Sequence, residues 1–431
     1  MIRIGLLTLL LCFTLGAFAQ EERKILLLNG HLHVGNGNVL EAAFIGTKGG
    51  KISVIRNSLV QSYYPEDWDT IIDLNGQHVY PAFVAPNSTL GLTEIDAVRA
   101  TRDYDEVGKY NPHIRAQIAY NVESNVVSTV RTNGVLITQA TPRGGDISGT
   151  SSVMLLDGWN WEDATIRNND GIHVNWPSSI DNSEWENGVN KKKADGKYEL
   201  EKEELVSFFQ MALAYAESND HPIPDVRLEA MIDCFKGKKR VYFHADELRQ
   251  LNDIIEFSSQ FKLKFPVIVG GYDSYKIAYK LKDAEIPVML GRLHSLPLND
   301  EDPIDLPYRL PSLLKAGGVE FCLQNAGDME AMNTRNLPFQ AGTAMAYGLS
   351  EEEAVRCISQ TPAKIMGIDQ EYGTIEEGKS ATLFVSKGNA LDMRTNQVTL
   401  IMVNGELMET DNFQMELYRK YKNKYDKQAS E

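Results

Sequence analysis

The stretch "RVYFHADELRQLNDIIEFSSQFKLKFPVIVGGYDSYKIAYKLKDAEIPVMLG" (240–291) decides the fold. Three short β-prone runs, "RVYFHA", "FPVIVGG" and "IPVMLG", are separated by "ADELRQLNDIIEFSSQF" and "DSYKIAYKLKDA", whose apolar residues recur at helical spacing. Strand–helix units repeated at this interval predict parallel strands joined by crossover helices. The alternation continues outward, with "AFVAP" and "GVLITQA" before it and "VEFCLQN" after it. The chain is therefore read as α/β, with a (β/α)8 TIM-like barrel over about 81–369. Chemistry in such a barrel gathers at the C-terminal ends of the strands, so residues just past each strand are the candidates.

Both flanks have a different character. Residues 20–80 and 370–410 carry short β-prone runs with Asn-Gly and Gly-Gly turns, which predicts one small β-sandwich domain built from both chain ends. His31 and His33 in "NGHLHVG" fall on one of these strands and are read as one face of it, with no metal role. Segment 157–200, rich in Asn, Trp, Asp and Lys, reads as an inserted loop, and 411–431 as a helical tail whose Tyr418, Tyr421 and Tyr425 are expected to pack. "GLSEEEAVRCISQTPAKIMGI" reads as one helix opened by a capping box at Ser350 and Glu353. Residues 1–19, an apolar run behind Arg3 closed by Ala17-Phe18-Ala19, read as a signal peptide, so the mature protein is expected in the periplasm or outside the cell, with no membrane insertion.

The formal charge of −16 argues against a nucleic-acid partner, since phosphate binding needs a basic face. Cys234, Cys322 and Cys357 remain after the signal, an odd set without CxxC spacing that argues against a disulfide or zinc framework, and Cys322 and Cys357, in apolar or helical patterns, are read as small core residues.

"DLNGQHVYPAFVAPNSTLGL", "TNGVLITQATPRGGDISGTSSVM", "VYFHADELRQLNDIIEFSSQF" and "GVEFCLQNAGD…RNLPFQAGTAMAYGLSEEEAVRCISQTPAKIMGIDQEYGTIEEGKSATLFV" together resemble the amidohydrolase superfamily, within it the imidazolonepropionase-like secreted bacterial branch. The resemblance runs from about 24 to 409. It implies hydrolysis at one or two metal ions held by Asp-x-His-x-His after the first strand, one His after each of strands five and six, and an Asp after strand eight. Those positions here are Ala85, Asn87 and Thr89, then His244, Gly270, and Asn325 or Ala326. Only His244 keeps a ligand-type side chain, so the metal site is read as degenerate and no cofactor is expected at the standard positions.

Around that position His244 and Asp328 are the candidate catalytic residues. Asn87, Arg143, Tyr272, His294 and Arg335 are the candidate ligand-binding residues, Arg143 as a carboxylate holder. The expected function is a non-catalytic homologue binding a small molecule or an active amidohydrolase-like partner, with a homo-oligomer open. The alternative is a hydrolase of carbon–nitrogen bonds in cyclic amides or dipeptides, rebuilt around His244, with zinc as its ion. A third reading, a structural surface protein, expects a barrel mouth filled by large side chains.

Overall fold

The computed structural model describes residues 23–429 except 61, 187–188, 195 and 219. The signal-peptide reading lies outside the described residues. Two eight-stranded sheets organise the rest.

The first sheet takes β1 (Lys24–His33), β2 (Val39–Lys48), β3 (Lys51–Asn57), β4 (Thr70–Asp73) and β5 (His78–Pro81) from one end of the chain. The other end adds β16 (Leu383–Ser386), β17 (Val398–Val403) and β18 (Glu406–Met408). A two-sheet sandwich was expected; hydrogen bonding instead makes one sheet that branches at β1. The first half of β1 pairs with β4, and its second half, through His31 and Leu32, pairs in parallel with β5. Ile25, Leu27, Ile45, Leu383 and Met402 fill its core.

The second sheet is the barrel. Its strands are β6 (Phe83–Ser88), β7 (Val135–Ala140), β8 (Ile147–Leu155), β9 (Thr165–Asn175), β12 (Arg240–Ala245), β13 (Pro266–Gly270), β14 (Val288–Leu290) and β15 (Phe321–Leu323). Both faces of β6 and β7 are buried, as near-continuous apolar runs require. Asn87 Nδ2 near the end of β6 donates to Gln324 Oε1 beyond β15 at 3.3 Å, which draws the first and last strands together.

Two expectations need correction. The strands are not all parallel: β8 runs antiparallel to both β7 and β9. Only residues 141–146 join β7 to β8, and so short a link cannot make the crossover that parallel pairing demands. Nor is 157–200 a loop. It contains the barrel strand β9, the β10 (Ile180–Glu186)–β11 (Val189–Ala194) hairpin and the start of the helix Tyr198–Glu217. The polar run "TIRNND" disguises β9, whose Asp170 and His173 are polar because they serve a hydrogen-bond network inside the barrel.

The capping box at Ser350 and Glu353 forms, but the helix it opens ends at Cys357 and a second begins at Gln360. Pro362 has no N–H to give the Ile358 carbonyl, which accepts instead from Val84 N of β6 at 2.7 Å. Phe384 of β16 packs edge-on against Phe83 and stacks on Tyr80, joining the two sheets. The three cysteines are free and buried, while Tyr418, Tyr421 and Tyr425 on the helix Phe413–Ala429 are exposed rather than packed.

Candidate functional site at the barrel mouth

A cavity of about 790 Å³ opens at the C-terminal ends of the strands. Its wall includes Asn87, His244, Asp246, Gly270, Arg292 and Gln324. The mouth is open, not filled by large side chains.

Asn87 sits at φ +50°, a left-handed conformation that asparagine tolerates better than most residues. Its amide oxygen and its carbonyl both accept from the Arg143 guanidinium, at 2.9 and 3.0 Å. Arg143 in turn pairs with Glu330 Oε1 at 2.9 Å, a carboxylate only 10% exposed. A guanidinium therefore stands directly behind the end of the first barrel strand. Thr89 is buried, and Asn325 accepts from Gln340 Nε2 on the helix Leu337–Ala346, so its side chain is engaged there.

Gly270 ends the sixth barrel strand at φ +100°. A Cβ there would lie 2.6 Å from Asp246 Oδ1, so backbone and packing both demand glycine. Gly327 plays a similar part past β15, since a Cβ would lie 2.1 Å from Arg292 Nη2. Arg292 crosses that gap to the carbonyls of Ala326 at 3.3 Å and Asp328 at 3.4 and 3.3 Å. No carboxylate among the described residues pairs with it.

His244 is the end of a buried chain. Asp170, fully buried on β9, accepts from Tyr242 OH at 2.6 Å, Gln139 Nε2 at 3.0 Å and Ser151 Oγ at 2.6 Å. Because the Ser151 proton goes to Asp170, its oxygen accepts from His173 Nε2 at 2.9 Å. His173 Nδ1 must then accept from His244 Nε2, also at 2.9 Å, which leaves Nδ1 as the unprotonated nitrogen of His244. Burial, then the Arg143 charge, pushes His244 down to about 3. Burial, His244 and Arg143 hold His173 well below the usual histidine range. Both rings are neutral near pH 7.

Two residues beyond His244, Asp246 Oδ1 accepts from Tyr272 N at 3.1 Å. The protein packed around it, together with Asp273 and Glu247, holds its carboxyl above the usual range, against the opposing effect of that N–H.

Of the sequence candidates, Asn87, His244 and Tyr272 line the cavity. Arg143 stands behind Asn87. Three others do not line it. The chain turns sharply at Gly327 and at Met329, φ +53°, and carries Asp328 and Arg335 away. Asp328 is exposed and lends only its carbonyl to Arg292. Arg335 is exposed, its carbonyl accepting from Asn133 Nδ2 at 2.8 Å. His294 Nε2 is bonded to Thr343 Oγ1 at 2.7 Å. Reading the sequence missed Asp246, Arg292 and the Asp170–Ser151–His173 chain. The first two were reachable by scanning each strand end; the third lay largely in the segment read as a loop.

Residues 310–408 match the family model described as "Amidohydrolase family". No curated protein matches the chain in sequence. Among solved structures, an amidohydrolase from Thermotoga maritima MSB8 is similar, with TM-score 0.76, 23% identity, and coverage of 89% of this chain and 99% of that one. A Xaa-Pro dipeptidase with bound methionine gives 0.54 and 14% over 90% of this chain and 100% of its own. Ochratoxinase from A. niger gives 0.53 and 14%, over 90% and 96%. The chain therefore shares the fold of these amidohydrolase structures, and its C-terminal part, residues 310–408, is similar to the amidohydrolase family.

Proposed function

We propose that the barrel mouth is a binding site for a small carboxylate-bearing amide, such as a dipeptide or a ring-opened cyclic amide, and that the protein binds this ligand without hydrolysing it. The observation that carries this reading is the state of His244. It is the one imidazole on the cavity wall, its Nε2 is committed to His173, and a neighbouring guanidinium depresses its basicity. A base so far below the working pH takes a proton poorly in a transition state.

The metal ions that the fold family implies do not fit the residues present. Asn87 offers an oxygen already held by Arg143, Gly270 offers none, Asn325 is engaged by Gln340, and the guanidinium would repel a cation. Arg292, without a carboxylate partner among the described residues, supplies the charge for an anionic ligand.

A second reading, hydrolysis of a carbon–nitrogen bond, is favoured by Asp246, whose raised carboxyl shares the cavity with His244. The similarity to a Xaa-Pro dipeptidase also supports it, though fold alone does not fix function. Calorimetry and mass spectrometry on one panel of dipeptides, N-acyl amino acids and cyclic amides separate the readings. Saturable binding without product, weakened about tenfold or more by Arg292→Ala, is expected from a lost charge-assisted contact. Turnover abolished by His244→Ala or Asp246→Asn would establish the second reading instead.

Export rests on residues 1–19, and the absence of a nucleic-acid partner on the charge of −16. Fractionation of the native host tests the first. No described helix is long and apolar enough to cross a membrane.

A further inference from the structure

Far from the barrel mouth, three histidines meet where the β-rich sheet faces the barrel helix Glu351–Cys357. His31 and His33 stand two apart on β1 and so share a face, and His78 on β5 is the register partner of His31. Their ring centroids lie 4.8–5.3 Å apart, and one ligand nitrogen from each falls within 4.8 Å of the others. Among the described residues this is the one group of three such side chains placed to share an ion.

The surroundings are built rather than incidental. His33 is buried and stacks on Tyr80 at 4.2 Å. Its Nδ1 lies 2.5 Å from Glu352 Oε1, so the Nδ1–H donates to the carboxylate and Nε2 carries the lone pair. That Nε2 points at His78 Nδ1, 3.0 Å away. Two imidazole nitrogens on a tetrahedral zinc ion with bonds of 2.0–2.1 Å are about 3.3 Å apart, close to the His33–His78 separation, while the three ligand atoms together span up to 4.8 Å and would have to close on the ion. The second carboxylate oxygen of Glu352 is buried and without a hydrogen-bond partner.

We propose that His31, His33 and His78 bind one divalent transition-metal ion of the zinc class, with Glu352 orienting His33, and that the ion braces the β-rich sheet against the barrel. Three imidazoles suit Zn, Ni or Cu(II) rather than Mg or Ca, and the fourth position is left to water. This site is independent of the function proposed for the barrel mouth.

The test titrates Co(II), then Zn(II), into the full chain prepared without a metal-affinity tag and freed of metal with chelator. One Co(II) per chain with visible tetrahedral bands, displaced by one Zn(II), is expected, together with a higher unfolding temperature in zinc. Half-buried His31→Asn, which spares the core, should weaken binding tenfold or more, and Glu352→Gln should weaken it about 10- to 100-fold, as loss of such an orienting partner does. His244→Ala should leave it unchanged. Absence of saturable binding at micromolar zinc, or binding indifferent to both His31→Asn and His78→Asn, would overturn the proposal. Loss in His244→Ala alone would place the ion in the barrel, overturning both the three-histidine site and the metal-free barrel mouth.

Discussion

Acid should destabilise this protein through His244 before most carboxylates titrate. The ring is held neutral at the end of the Asp170–Ser151–His173 chain and is pushed down to about 3 by burial and Arg143. In the unfolded chain it titrates near 6.5. Its folded pKa is depressed, so the unfolded state binds more protons between pH 6.5 and 3, and stability falls as pH falls through that window. At pH 5 the linkage costs about 2 kcal/mol relative to pH 7.5. His173, shifted the same way, adds to it. Urea unfolding of the wild type and His244→Gln at both pH values isolates the effect, because other titrating groups are common to the two. The wild type should lose about 2 kcal/mol more than the variant on going to pH 5. Equal losses, or a His244 ring signal titrating near 6.5 in the folded chain, would refute the reasoning.

Other substitutions probe the same geometry. Gly270→Ala forces a Cβ to within 2.6 Å of Asp246 Oδ1 at φ +100° and should cost about 1–3 kcal/mol of unfolding free energy in urea. Asp170→Ala strands the Tyr242, Ser151 and Gln139 donors together and should cost roughly 3–5 kcal/mol by the same urea measurement, with Asp170→Asn milder because an amide oxygen still accepts. Arg143→Leu leaves the Glu330 carboxylate buried and unpaired, a loss of roughly 3 kcal/mol, and should raise the His244 pKa, readable by NMR, since Arg143 is one of its two depressing causes.

The barrel was legible because β12, β13 and β14 are apolar runs separated by amphipathic helices. β9 was not, since its outer half is "TIRNND" and its inner polar residues exist for partners on β7, β8 and β12 that no local pattern reveals. The antiparallel β8 was readable in principle from the six residues before it. At the site, Asn87 and His244 were found by inspecting the C-terminal end of each strand, and the same inspection of β14 leads to Arg292. Asp328 and Arg335 were misplaced because two left-handed turns redirect the chain after β15, and a non-glycine one at Met329 carries no sequence signal. His31 and His33 looked like an ordinary strand face because their third partner, His78, is 45 residues from His33 and joins them only through the β1–β5 register.

The central claim, that the barrel mouth itself holds no metal, is tested most directly by removing the other candidate site first. Elemental analysis of the His31→Asn/His78→Asn chain, purified without chelators or metal-affinity tags, should show zinc, manganese, nickel and copper all far below one ion per chain. It should show no further change on adding His244→Ala. One ion per chain that survives the double substitution and disappears with His244→Ala would contradict the account and make the barrel mouth a metal site.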